Sequence, residues 1–540
     1  MPHWRSKAFY LTRNRSFLIK GSACILGAFM AIAFTANFIL NTGATKITGD
    51  GRPSTEELSE VSNLLLQTSD LSPEHLLTVL KELAAVIKQV ESAQKPSFHD
   101  STLQLGNANL TKLIEQHAVS SEQRELFSNY ARCLFSTEQV TDSKARTFLR
   151  VQAEVKQPIR YAAEFHADIL VLENKPREAL PFYLKETAHP DAAHARIMAA
   201  KLAIAQKDIP ALQQLADDKA FINSCSSSLL LKMARLLDDQ LLLVQGLWIM
   251  QQDRFSQTTG LVIALFCAFL WQVLLASTAG LRLRQAFSYT PAILAGMLSV
   301  WLLHTLQVLL QYDVDSGLDS ELSMSHQLFY WVMNVGVPEE TVKLCLFLPF
   351  LPFLLRQPSG VRAALTAGCV GLGFALNENL QYYQDFNVTV AMSRLLTANI
   401  VHISLTGILG YELYLLSRSR FHRAVEFLLT FGAVTLAHGL YDFCNSGSAL
   451  EGLEIGGIII VAFTARRYLQ CLHNPGSQTS SNQPISRTCI FCFGSSLLVG
   501  VLIVVAVLEM QSLEGITLVL KEALGLSLVA LIYVREFKEV

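Results

Sequence analysis

From about residue 258 onward the chain is a succession of apolar runs of some 20 residues, separated by short polar connections. A bilayer core about 30 Å thick is crossed by roughly 20 apolar residues of helix. Backbone exposed to lipid must also pair all of its N–H and C=O groups within itself. A chain with this pattern is therefore expected to fold as a polytopic all-α membrane bundle. The runs place spans at 260–280, 289–311, 327–355, 361–382, 392–416, 424–444, 446–465, 488–510 and 517–534, and an earlier run at 21–40 makes ten. That first run follows Arg5, Lys7, Arg13, Arg15 and Lys20 and lacks a clear small-x-small cleavage site. It reads as a retained anchor and not as a signal peptide.

Charge sets the expected orientation. With the basic segment 1–20 in the cytoplasm, ten spans put Arg282 and Arg284, Arg356 and Arg362, Arg418, Arg420 and Arg423, Arg466, Arg467 and Arg487, and Arg535 and Lys538 on the same side. The opposite connections, DVDSGLDSE at 313–321 and QDFNV at 384–388, carry no Lys or Arg. This is the positive-inside pattern of a bacterial inner membrane protein with both ends cytoplasmic. The formal net charge is -2 and the basic residues stand in ones, twos and threes, so no nucleic-acid footprint is present.

The charged residues gather in the first 250 positions. Residues 42–257 are expected to form an extracytoplasmic all-helical domain, beginning with SPEHLLTVLKELAAVIKQV at 72–90, where Ser-Pro-Glu starts a helix with three-and-four apolar spacing. ENKPREAL at 173–180 and AQKDIPAL at 205–212 align with a period of 32, which resembles tetratricopeptide repeats over two or three units. An unrelated helical bundle is the alternative.

Against this background NVGVPEETVKLCLFLPF at 334–350 stands out. A charged side chain at the centre of a membrane helix costs about 2.5–3.5 kcal/mol on insertion scales, so such groups mark functional sites. Glu339 and Glu340 lie four and three residues before Lys343, whose amine can neutralise part of their charge. The next three expected spans carry Glu378 and Asn379, then Arg394 and His402, then His438 and Asp442 one turn apart. Two histidines with one or two glutamates suit a metal, Zn²⁺ first, that polarises substrate or water. Without metal, a glutamate can act as general base toward water, with His402 or His438 stabilising the oxyanion and Asp442 orienting the His438 ring. A proton- or ion-coupled carrier uses the same residue types, although no pair of inverted repeats is evident. A catalytically inactive scaffold for the outer domain is the third class.

Glu339-Glu340-x-x-Lys343, Phe374-x-x-x-Glu378-Asn379, His402 and His438-x-x-x-Asp442 together resemble the PrsW family of intramembrane proteases, more distantly related to the CAAX-processing membrane proteases. The resemblance covers about 258–467 and leaves 468–540 as an extension with two spans. It implies Glu339 or Glu340 as the principal acid or base. Glu378, His402 and His438 become further active-site residues, and Glu340, Glu378, His402 and His438 the ligands of any metal. Lys343, Asn379, Asp442 and Arg394 stand in support. By the same resemblance the substrate is a membrane-anchored protein of the anti-sigma-factor kind, whereas oligomeric state is not implied.

Overall fold

The computed structural model describes residues 3–43, 72–73, 76–78, 80–81, 114–115, 120–135, 142–310, 323–383, 388–446, 454–472 and 484–537. Most of the helix expected over 72–90 and both basic-free connections lie wholly or largely outside them. The chain divides into two compact units, Lys46–Met250 and the remainder, Met1–Thr45 with Gln251–Val540. Among the described residues the regular structure is helical throughout.

The chain enters the membrane unit with α1 (Arg15–Gly43). The other unit contains α2 (Ser121–Phe135), α3 (Asp142–Glu154), α4 (Ala162–Leu172), α5 (Pro176–Glu186), α6 (Ala193–Gln206), α7 (Ile209–Ala216) and α8 (Ser227–Leu237). Its local signals are direct. Asp208 caps α7 by accepting from the Ala211 N–H, and Pro210 in the first turn forgoes a donor that would have no intrahelical partner. The two aligned sequence segments fall at the α4–α5 and α6–α7 turns, and Ala179, Leu180, Ala211 and Leu212 are all buried.

A charged network is built into the same unit. Tyr161 has φ 77°, and the carboxylate of Glu186 receives the backbone N–H groups of Tyr161, Ala163 and Glu164 at the start of α4. Arg160 bridges Glu186 and Glu164 at 2.8 and 2.9 Å, while Asp168 accepts from Tyr130, Tyr183 and Lys81. Partners on every carboxylate are what makes burial of such charge tolerable.

After α9 (Gln240–Arg254) the membrane unit resumes with α10 (Thr258–Thr278) and α11 (Thr290–Leu309). Next comes a helical stretch from Met324 to Arg356 that contains α12 (Val337–Phe347). It is followed by α13 (Gly360–Tyr382), α14 (Val388–Leu396), α15 (Ala398–Arg418), α16 (Ala424–Asn445), α17 (Glu454–Leu472) and α18 (Arg487–Met510). The C-terminal pair is α19 (Glu514–Gly525) and α20 (Ser527–Glu536). Among the described residues eight helices are long and apolar enough to cross a membrane, and nine if α19 and α20, bent by 53° at Leu526, form one span.

The ten-span expectation differs from that count at one place, Met324–Arg356. Three charged side chains, Glu339, Glu340 and Lys343, and three prolines, Pro338, Pro349 and Pro352, keep it from being one uniformly apolar helix. The unit is organised around α13, whose residues are buried along most of its length between α11 and α15. Helix α1 packs on α18.

Candidate active site in the membrane unit

Pro338 shapes the segment that brings the acids in. Its ring cannot supply an N–H and would clash with the carbonyl four residues back, and the helix before it widens into a π-helical turn at Trp331–Gly336. The first turn of α12 then presents Glu339 and Glu340 together. Helix α16 comes against this turn at Gly439, where a Cβ would lie 2.6 Å from the Val332 backbone. The absent side chain permits the crossing that puts His438 beside both acids. A second close approach, at Gly371 of α13, sets that helix against the His402 carbonyl of α15, and any Cβ there would collide with the oxygen.

Lys343 lies at the centre of the assembly, fully buried. Its Nζ donates to Glu340 Oε1 at 2.8 Å and Glu339 Oε2 at 3.2 Å, and is 3.0 Å from His402 Nδ1. Its ammonium also rests 3.8 Å from the centroid of Phe374. Three donors on one amine can serve all three acceptors, which fixes the two acids and the imidazole in a ring.

The two adjacent glutamates differ in what remains free. Glu340 is fully buried, with Oε2 receiving the Thr406 hydroxyl at 3.0 Å and Oε1 facing His438 Nδ1 at 2.9 Å. Glu339 is engaged through Oε2 by Lys343 and, at 3.5 Å, by His438 Nε2. Its Oε1 has no hydrogen-bond partner among the described residues, and its side chain keeps 11% of its surface open. Glu378 is similar, with Oε2 held by Arg394 at 2.6 Å and His402 Nε2 at 2.8 Å and a side chain 20% open.

The remaining expected residues surround these. Arg394 also donates to Asn379 Oδ1 at 2.6 Å and lies over the Tyr382 ring, while Asn379 donates to Asn399 at 2.9 Å. Asp442 Oδ2 is 3.4 Å from His438 Nε2. The His402 and His438 rings meet edge to face with centroids 5.1 Å apart. All nine expected residues thus stand within one connected cluster on α12 to α16. His438 Nδ1, although near Glu340, lacks the alignment of a hydrogen bond.

A group of side chains that could hold a metal ion is also present, and it shares His402 and His438 with the expected ligands. Glu339, His402 and His438 each offer a ligand atom, and these lie within 4.8 Å of one another. Of the other two expected ligands, Glu340 has both oxygens engaged, by Lys343 and Thr406, whereas Glu378 is engaged through Oε2 alone, by Arg394 and His402. One carboxylate and two imidazoles are the donor types of a catalytic zinc site, so the residues fit such an ion chemically. It would take up lone pairs on Glu339 and His402 that Lys343 now engages.

Thr406, whose hydroxyl bonds across to Glu340 of the neighbouring α12, is a member of the cluster beyond the nine expected residues. Its spacing of four from His402 was the available signal, since it places both on one face of α15. Asn399, three residues before His402, carries the same signal on that face.

The protein-family comparison matches residues 288–466 to the PrsW family intramembrane metalloprotease. A search of curated proteins and a search of solved structures each return no match. The family match lies wholly in the membrane unit, and nothing in the comparisons relates the other unit to tetratricopeptide repeats. Residues 288–466 of this chain are therefore a PrsW-family intramembrane protease domain.

Proposed function

We propose that the chain hydrolyses peptide bonds of membrane-anchored proteins with water activated between Glu339, His402 and His438. The observation that carries this reading is the inequality of the paired acids. Glu340 is fully buried with both oxygens engaged, whereas Glu339 is held by one oxygen and open at the other. A carboxylate fixed on one side and free on the other is placed to take a proton from water, which is general-base work. His438 can then stabilise the developing oxyanion or return the proton to the leaving amine, and Asp442 orients its ring. Glu378, itself held by Arg394, holds His402 from the opposite side. Lys343 offsets the charge that gathers on the acid pair.

If a divalent ion such as Zn²⁺ is bound, Glu339, His402 and His438 hold it and it supplies Lewis-acid polarisation of the scissile carbonyl. In either case the chain's own task includes fixing the acids and excluding bulk water; without an ion, Glu339 is also the proton acceptor beside the peptide.

We read Met324–Arg356 as a further, broken span, because its three charges are satisfied inside the bundle and do not face lipid. With it the spans number ten. The Lys46–Met250 unit is then extracytoplasmic, both ends are cytoplasmic and the membrane is a bacterial inner membrane. That unit would present substrate to the core.

The decisive experiment maps new protein N-termini in membranes expressing the wild type, Glu339→Gln or Glu340→Gln, with metal content measured on the purified proteins. Termini found with the wild type and lost in both variants are expected. Identical sets in all three would end the hydrolase reading, and wild-type protein that is active without bound metal would assign the chemistry to glutamate alone.

A further inference from the structure

The turn of α13 that carries Glu378 is braced from outside the cluster described above. Asn377, Glu378 and Asn379 are consecutive, so their side chains leave the helix about 100° apart. Glu378 and Asn379 reach toward α14 and α15. Asn377 instead donates through Nδ2 to the Met297 carbonyl of α11 at 3.1 Å, and its Oδ1 accepts from Arg254 at 2.8 Å. The second guanidinium nitrogen of Arg254 donates to Gln381 Oε1, also at 2.8 Å, and lies 3.4 Å from His304 Nε2 of α11.

Arg254 is 2% exposed and ends α9 inside the membrane unit. Among the described residues no carboxylate pairs with it, and its Nε has no hydrogen-bond partner. Burying a cation without a counter-ion costs several kcal/mol, so packing alone does not explain a guanidinium at this point. What it provides is a planar head with separate donors. Asn377 and Gln381 stand one helical turn apart, and the fork spans both. A lysine ammonium, a single point of charge, does not reproduce that grip.

We propose that Arg254 is a positioning residue for the hydrolytic site: by holding Asn377 and Gln381 on either side of Glu378, it fixes the rotation of α13 that aims the Glu378 carboxylate at His402. The proposal rests on the hydrolase reading for its consequence and on the bonds above for its geometry. Arg254 touches none of the reacting groups and acts through Glu378.

Two double-mutant cycles on the full-length protein in lipid nanodiscs test it. In the first, Arg254→Met is expected to lower kcat about 10- to 100-fold, the scale of a misplacement near 1 Å, with KM changed less than about twofold. Arg254→Lys should recover only part of the loss. In a Glu378→Gln background the same Arg254→Met change should leave the residual rate within about twofold, because the group it positions is already gone. In the second cycle, Arg254→Met and Asn377→Leu should shift the melting temperature by less together than the sum of their separate shifts, since they break one shared bond. Additive losses of rate overturn the positioning role, and additive melting shifts overturn the brace itself. A wild-type protein that cleaves nothing overturns the hydrolase reading instead, and the brace is then judged by the melting cycle.

Discussion

Two parts of this molecule bury charge, and they do it differently. In the Lys46–Met250 unit, Glu186 receives three backbone N–H groups and Arg160, and Asp168 receives two tyrosine hydroxyls and Lys81. In the membrane unit, Glu340 is just as fully engaged, but Glu339 and Glu378 are each held through one oxygen and remain partly open. A network with every acceptor filled fixes a fold, whereas one with an acceptor left open is able to bind and react. Charge burial alone therefore does not identify a site, and the unfilled valence does.

The largest effect should come from removing the open acid. Glu339→Gln is expected to lower hydrolysis by on the order of 10²–10⁴-fold, the usual worth of a general base, measured on a cleaved single-span substrate. Its melting temperature should stay within about 3 °C of wild type, because Lys343 keeps Glu340. Equal rates, or a collapse of folding, would show that the membrane cluster is structural after all. The mirror test lies in the other network. Glu186→Ala removes the acceptor of three buried backbone N–H groups, while Arg160 keeps Glu164 and Asp191, at a total cost of about 3–5 kcal/mol when each orphaned group costs about 1–3. For a unit of that size this is a drop of about 10 °C in the transition of the Lys46–Met250 unit followed by calorimetry. An unchanged transition would deny that this network holds the fold.

Close packing of α16 on the π-helical turn ranks third. Gly439→Val places a side chain against the Val332 backbone and must push α16 away, taking His438 with it. A displacement near 1 Å is expected to lower kcat about 100-fold while membrane insertion, followed by protease protection, stays normal. Wild-type rates in this variant would mean that His438 need not sit where the crossing puts it.

The difference between these regions also accounts for what could be read from sequence. Long apolar spans such as α10 and α18 are legible because a single property, hydropathy, decides them. The polar residues of α12 to α16 are legible because charge is expensive in lipid and is retained there for little besides function. Arg254 is not legible because it stands in a polar stretch before α10, where an arginine carries no signal until the fold buries it against Asn377. Which of the paired acids keeps an open oxygen is not legible either. Glu339 and Glu340 are neighbours in sequence, and which of them is left open depends on the side from which Lys343, Thr406 and His438 approach.

Asp442 gives the finest test of that open valence. Its carboxylate is 3.4 Å from His438 Nε2, the same nitrogen that is 3.5 Å from Glu339. Two acids facing one imidazole nitrogen can orient the ring in alternative ways, and in the proposed mechanism only contact with Glu339 draws it into the reaction. Asp442→Asn keeps the size of the side chain and removes its charge, so His438 is held less firmly and shared less evenly. Loss of a carboxylate that supports a functional histidine commonly costs 10- to 100-fold, and because Glu340 still faces the other ring nitrogen the expected fall in kcat is about 10-fold. Combining Asp442→Asn with His438→Ala should add nothing further to the loss caused by His438→Ala alone. An additive loss would place Asp442 in direct contact with substrate and remove it from the support of His438.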